Sequence, residues 1–207
     1  ADCQNCALVD CHLGPVPSQV RPGCLLALGG EAPGKDEVES HENFIGFSGR
    51  TVNQCIEDST LQRRNLTIIN AISCQPPDEQ SLSDFEKREV RKAKRASAAI
   101  GEVQNARLPT VACRERFALD LDESTPKVYL AVGKYALEAF EDYLRSRYMY
   151  DGDGLVMAQM HGSPVLLATP REAYNKVLVA LNRLPAELSL TDAPTVRRLH
   201  HIGNVHA

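Results

Sequence analysis

LLALGGEAPGKDE, residues 25–37, begins as an unbroken apolar run and ends in glycine, proline and charge. Apolar character without alternation is the pattern of a strand buried on both faces, as in a parallel sheet. The turn after it is of the kind that presents backbone to an anion. It lacks the G-K-[ST] ending and the spacing of a P-loop, so a nucleoside triphosphate is a poor candidate. The whole run, CLLALGG (24–30), has three counterparts bounded by turn residues: LTIINAIS (66–73), KVYLAVG (127–133) and PVLLAT (164–169). Between them SGRTVNQCIEDS (48–59), KYALEAFEDYLRSRY (134–148) and REAYNKVLVALNRL (171–184) read as helices. The alternation predicts an α/β fold, a three-layer α/β/α sandwich around a central, mainly parallel four-stranded sheet. In such a sheet ligands bind beyond the carboxyl ends of the strands, where GGEAPGKDE, NAISCQPP, VGK and ATPRE all fall.

A chain of 207 residues with 43% hydrophobic content can bury one sizeable core. We expect a single domain over residues 1–185 with an insertion at 78–112, followed by a polar tail at 186–207. The absence of an apolar run of about eighteen residues, or of a secretory leader pattern, predicts a cytoplasmic protein that does not enter membranes. A monomer is expected. The formal charge of −4 gives no global reason to bind nucleic acid, but EKREVRKAKR (86–95) is a local basic patch. Ser83 and Glu86 form a capping-box pair and Gly101 a stop, which predicts a helix over 84–100. Lys87, Arg91, Lys94 and Arg95 would then share a face that is either merely solvated or in contact with phosphates. His200, His201 and His206 in the tail read as no designed metal site.

Seven cysteines is an odd number, which argues against a complete disulfide framework and fits a reducing compartment. Cys3 and Cys6 form a C-x-x-C pair, a pattern shared by redox, zinc and iron–sulfur sites. Cys24 and Cys55 lie in apolar or helical surroundings and read as small buried hydrophobes.

In order, CQNCALVD (3–10), GEAPGKDE (30–37), NFIGFSGRTVN (43–53), NAISCQPP (70–77), a cysteine before PKVYLAVGKYALEAF (126–140), and HGSP leading into VLLATP (161–170) resemble the iron–sulfur family 4 uracil-DNA glycosylases. The resemblance runs from Cys3 to about Phe140, and more faintly to Leu184. It implies that Cys3, Cys6, Cys74 and Cys113 hold a [4Fe–4S] cluster that ties loops near the DNA instead of performing redox chemistry. Four thiolates equally suit zinc. The family's third and fourth ligands stand closer together, so residues 78–112 are inserted here, and Cys11 competes with Cys113 for the fourth position.

Breaking an N-glycosidic bond places positive charge on the sugar and negative charge on the departing base, after the base has left the stack for a pocket. The resemblance implies that Glu31 and Glu37 serve the sugar or the attacking water, that Phe44 stacks on the base, and that Asn70 reads its pairing edge. Each has a structural alternative: Glu31 closing a turn, Glu37 as a first-turn helix acid, Phe44 as core, Asn70 satisfying a strand end. Gly30, Gly34, Gly46 and Gly49 are expected where backbone approaches a nucleotide closely or adopts positive φ. DNA contacts are expected from Gly34, Lys35, Gly49, Lys87, Arg91, His161 and Ser163.

The departure lies after Ala168 and Thr169, where the family carries a His-Pro-Ser-like motif and this chain has Arg171, Glu172 and Ala173. Arg171 could supply permanent positive charge to a leaving base, bind a phosphate, or form a salt bridge without a catalytic part. These residues together predict a monofunctional DNA glycosylase acting on uracil or a modified pyrimidine, such as the hydroxymethylated or glucosylated cytosines of some phage DNA. The alternatives are an ordinary uracil-repair enzyme, a non-catalytic iron–sulfur DNA-binding protein, and a zinc-stabilised nucleotide-handling enzyme.

Overall fold

The structure, a computed structural model, describes residues 1–77, 81–101, 103–147, 149–150, 155–156, 165–169 and 174–188. In chain order its elements are β1 (Leu26–Gly30), α1 (Lys35–Ser40), α2 (Phe47–Glu57), β2 (Thr67–Asn70), α3 (Leu82–Ile100), α4 (Pro109–Ala112), α5 (Arg114–Ser124), β3 (Val128–Val132), α6 (Lys134–Arg147), β4 (Met149–Tyr150), β5 (Leu155–Val156), β6 (Val165–Thr169) and α7 (Tyr174–Leu188). The four expected strands form one sheet in the order β2-β1-β3-β6, and every pairing is parallel. The antiparallel β4–β5 ribbon was not foreseen. Among the described residues no helix is long and apolar enough to cross a membrane.

The unbroken apolar strands are explained by the two layers they serve. Leu26, Leu28, Ile68, Leu130 and Val132 face Val52, Cys55 and Ile56 of α2 and Val177, Ala180 and Leu181 of α7. Ala27, Ile69, Tyr129 and Ala131 face Phe117 and Leu121 of α5 and Ala136, Phe140 and Leu144 of α6. Each large side chain so buried contributes about 1.5–3 kcal/mol. Phe140 packs directly over Gly29, where a Cβ would stand 2.7 Å from its Cζ, so β1 must be bare at that point. Register fixes the functional end: Gly30 pairs with Asn70, bringing the last residues of β1 and β2 side by side.

A third apolar cluster lies beyond that end, with Cys6, Leu8, Ile72, Leu82, Phe85, Ala112 and Cys113. It joins the N-terminal segment to α3 and α4. The α3 helix starts earlier than the sequence pattern predicts. Ser81, not Ser83, is its N-cap, accepting from the Asp84 amide at 3.1 Å. Glu86 is drawn away from the expected capping box: it accepts from both the amide (3.1 Å) and the hydroxyl (2.6 Å) of Thr110. Gly101 ends the helix as expected, with φ of 73°. The α7 helix continues to Leu188, past the expected start of the tail at 186.

Candidate active site

The turn after β1 is held by Glu37. This carboxylate is only 8% exposed, and its Oε2 accepts from the Gly34 amide (3.0 Å) while its Oε1 accepts from the Gly46 amide (2.9 Å). One side chain therefore pins both ends of the loop that carries α1. Side chains at Gly34 and Gly46 would collide with it, a Cβ lying 2.7 and 2.9 Å from Oε2. The expected positive φ is not found at any of Gly30, Gly34, Gly46 and Gly49, and each makes room for the protein's own side chains or backbone. Both oxygens of Glu37 accept from backbone amides, so its carboxylate holds this loop together.

Positive φ falls instead on Phe44, at 58°, a conformation that is rare for an aromatic residue. Its carbonyl accepts from Asn53 Nδ2 at 2.8 Å, and Gly49 lies so close beneath that a Cβ there would strike the Phe44 backbone. Arg63 locks the same turn from outside, donating to the Asn43 carbonyl (2.5 Å) and to Asn53 Oδ1 (2.6 Å). Such over-determination offsets the local strain and aims the ring. The Phe44 ring edge and the Asn70 carboxamide oxygen converge on Gly30, where a Cβ would stand 2.6 Å from Phe44 Cζ. Glycine is required there by the pocket itself.

Asn70 is buried and donates from Nδ2 to Asn43 Oδ1 at 2.8 Å, while Asn43 Nδ2 donates to the Pro17 carbonyl at 2.7 Å. Arg116 fixes the backbone of the same residue, donating to the carbonyls of Asn70 (2.7 Å) and Ala71 (3.2 Å). The pocket so formed is small, about 290 Å³ with its open mouth, and gathers Glu31, Glu37, Phe44 and Asn70 together with Ser48 and Val132. Glu31 differs from Glu37: among the described residues no side-chain hydrogen bond engages its carboxylate, which stays half-buried at the pocket wall. Two larger hollows, about 750 Å³ between α5 and α6 and about 920 Å³ at the amino ends of β1 and β2, contain none of these residues. We place the candidate chemistry in the small pocket because, of these three hollows among the described residues, it is the one where a carboxylate, an aromatic ring and an oriented amide converge.

The cysteines lie next door, since Ala32 lines the pocket and also packs in the third apolar cluster with Cys6, Cys74 and Cys113. Backbone hydrogen bonds bring their segments together: Asp2 N to Ala112 O at 2.9 Å, Val16 N to Ser73 O at 2.8 Å and Gln75 N to Leu13 O at 2.8 Å. Burial pushes the Cys74 thiol up to about 11, with Cys113, Cys6 and Cys3 adding to the effect and Arg116 opposing it. Cys6 is raised by burial first, and by Cys113 and Cys3 against the pull of the Leu8 amide. Cys11 turns its Sγ to the Ala7 carbonyl at 3.9 Å. Among the described residues, however, no three His, Cys, Asp or Glu side chains are gathered as they would be around a metal ion. Cys24 and Cys55 are buried in the core, as expected.

Lys35 is exposed and pairs with Glu39 at 3.8 Å, and Lys87 pairs with Asp84 at 3.3 Å. Arg91, Lys94 and Arg95 are exposed on the same helix as Lys87. Gly49 is buried under Phe44, so its bare backbone serves the turn. His161, Ser163, Arg171, Glu172 and Ala173 lie outside the described residues. Sequence reasoning missed Asn43, Ser48, Asn53, Arg63 and Arg116. Asn43, Ser48 and Asn53 stand inside a motif that was recognised, but polar loop residues carry no signal of which distant group they will meet.

The sequence model of the uracil DNA glycosylase superfamily matches residues 17–184. Proteins named type-4 uracil-DNA glycosylase are similar: that of Archaeoglobus fulgidus is 28% identical over 116 residues, 56% of either chain. That of Thermotoga maritima is 22% identical over 165 residues, 78% of this chain and 69% of the relative. The Sulfurisphaera tokodaii protein is 29% identical over 85 residues, 41% of this chain and 39% of its own. The match thus spans just over half the length of the Archaeoglobus relative.

Proposed function

The chain belongs to the uracil-DNA glycosylase superfamily, and on that premise we propose that it hydrolyses the N-glycosidic bond of a flipped-out uracil or modified pyrimidine in DNA, leaving an abasic site. The observation that carries this reading is the convergence of the Glu31 carboxylate, the Phe44 ring and the Asn70 amide in one small pocket. Phe44 stacks on the extruded base and Asn70 bonds its edge, so that negative charge on the departing ring meets a fixed dipole. Glu31 stabilises the cationic sugar and orients the water that adds to the anomeric carbon as the C–N bond breaks. The water's hydroxyl stays on the sugar and its proton ends on the released base. Glu37 acts on this chemistry only by keeping the loop in place.

DNA is the partner, held in part by the exposed basic face of α3. Cys3, Cys6, Cys74 and Cys113 would hold a [4Fe–4S] cluster, a reading supported by the match of their motifs to the family and by the backbone bonds between their segments. Such a group supplies cross-links between segments and takes no part in bond cleavage. Broad visible absorption with iron in the purified protein supports this assignment, and a colourless protein with stoichiometric zinc replaces it. The preference for a modified pyrimidine rests on Arg171, Glu172 and Ala173, which follow β6 where the family has its His-Pro-Ser-like motif.

The test is incubation with oligonucleotides carrying uracil, hydroxymethylcytosine or glucosylated hydroxymethylcytosine, followed by alkaline cleavage at abasic sites. Strand breaks at a pyrimidine position support the reading. No break on any substrate by iron-loaded protein rejects it. Excision confined to uracil returns the protein to ordinary uracil repair.

A further inference from the structure

A carboxamide is nearly symmetric in shape but not in chemistry, since turning it end for end exchanges donor for acceptor. The edge of uracil at ring positions 3 and 4 sets an N–H beside a carbonyl, while cytosine sets a bare nitrogen beside an amino group. One asparagine can match either edge, but each requires the opposite orientation.

In this pocket the orientation is decided by a chain of hydrogen bonds that starts from a backbone carbonyl. The Pro17 oxygen can only accept, so Asn43 must direct Nδ2 towards it (2.7 Å). Asn43 Oδ1 then faces Asn70, and it too can only accept, so Asn70 directs Nδ2 to it (2.8 Å). Asn70 Oδ1 is left at the Gly30 and Phe44 side, where the pocket lies. Asn43 is 1% exposed, so bulk solvent does not reach either bond. Turning Asn70 over would oppose two oxygens in a buried place, a costly arrangement. Arg63 holds the Asn43 backbone from the other side.

We propose that Asn43 is a specificity-determining positioning residue: it locks the Asn70 carboxamide in one orientation, so that the pocket accepts the uracil edge and rejects the transposed edge of cytosine. The proposal rests on the reading of the pocket as a base-binding site. Among modified bases it admits those altered at other ring positions with the uracil edge intact, and it excludes hydroxymethylated and glucosylated cytosines, which keep the cytosine edge, so their excision would overturn the lock while leaving the glycosylase reading in place.

The experiment compares single-turnover excision of uracil and of cytosine from matched oligonucleotides by the wild type, Asn43→Ala, Asn70→Ala and the double variant. A well-formed bidentate pair is worth about tenfold or more in discrimination. Asn43→Ala is expected to slow uracil excision by about that factor and to raise the cytosine-to-uracil ratio. Adding it to Asn70→Ala should cost nothing further. A lesion that merely loosened the fold would slow both bases alike and add to Asn70→Ala, and either result overturns the lock. So does wild-type excision of cytosine at the rate of uracil.

A second readout needs no substrate. The side-chain amide protons of Asn70, followed by NMR in the 207-residue chain, should exchange slowly in the wild type and quickly in Asn43→Ala. Equal exchange in both overturns the proposal. Slow wild-type exchange that becomes fast in the variant, with no excision of any base, supports the lock and counts against the glycosylase reading. If Asn43→Ala does not fold, Asn43→Leu fills the space and is read in the same way.

Discussion

Glu31 and Glu37 share one loop and one pocket, yet their surroundings assign them different work. Glu37 is buried with both oxygens bonded to backbone amides, whereas no side-chain hydrogen bond among the described residues restrains Glu31. Glu31→Gln is therefore expected to slow single-turnover excision by about 100-fold or more, the usual cost of removing a preorganised charge, with little change in melting temperature. Glu37→Gln should act the other way. Its amide group would face a backbone N–H, leaving buried donors unsatisfied at a cost of about 1–3 kcal/mol. A clear fall in melting temperature should accompany a smaller loss of rate. Melts and excision rates on the two proteins check both halves, and the reverse pattern would exchange the roles. Both residue identities were legible in the sequence, because the motif around them is distinctive. Their division of labour was not, because it depends on Gly46 returning through space to meet a carboxylate that precedes it in the chain.

At the level of elements, α3 shows what a helix must satisfy on two sides. Leu82 and Phe85 cover the cysteine-bearing cluster, while Lys87, Arg91, Lys94 and Arg95 face solvent. If that face follows a DNA backbone, replacing Lys87, Arg91 and Arg95 by Gln should flatten the dependence of DNA affinity on salt by up to about 0.9 logarithmic units for each phosphate no longer neutralised. Excision at saturating DNA should be unaffected. Affinity titrations at several salt concentrations read the slope, and an unchanged slope would leave the face merely solvated. The ion pair of Lys87 with Asp84 is exposed on both sides and is worth little against a phosphate. The existence of this helix and its stop at Gly101 could be read from sequence. Its start could not, because two overlapping capping patterns, Ser81 with Asp84 and Ser83 with Glu86, are locally equivalent. Glu86 is taken up by Thr110 in α4, a partner outside any local window. The β4–β5 ribbon escaped notice for a related reason, since strands of two residues carry no periodicity.

Over the whole molecule, the sheet was the most legible feature because four strands buried on both faces announce themselves without reference to one another. What the sequence hides is the assembly beyond their carboxyl ends, where Pro17, Asn43 and Asn70 form one relay and the three segments that carry Cys3, Cys6, Cys74 and Cys113 dock through backbone hydrogen bonds. Backbone hydrogen bonds already dock those segments, and thiolate ligation would tie them together. Cys74→Ser and Cys6→Ser are therefore expected to lose iron and thermal stability together, and Cys113→Ser likewise, whereas Cys11→Ser should keep both. Iron per chain and melting temperature, measured on all four proteins, decide the matter. Wild-type iron in Cys74→Ser and Cys6→Ser would sink the ligand set, and loss in Cys11→Ser with retention in Cys113→Ser would move the fourth ligand. Because Ala32 packs against both the cysteine cluster and the pocket, loss of the bound group should also loosen the loop that carries Glu31, so excision should fall in the variants that lose iron and stay intact in Cys11→Ser.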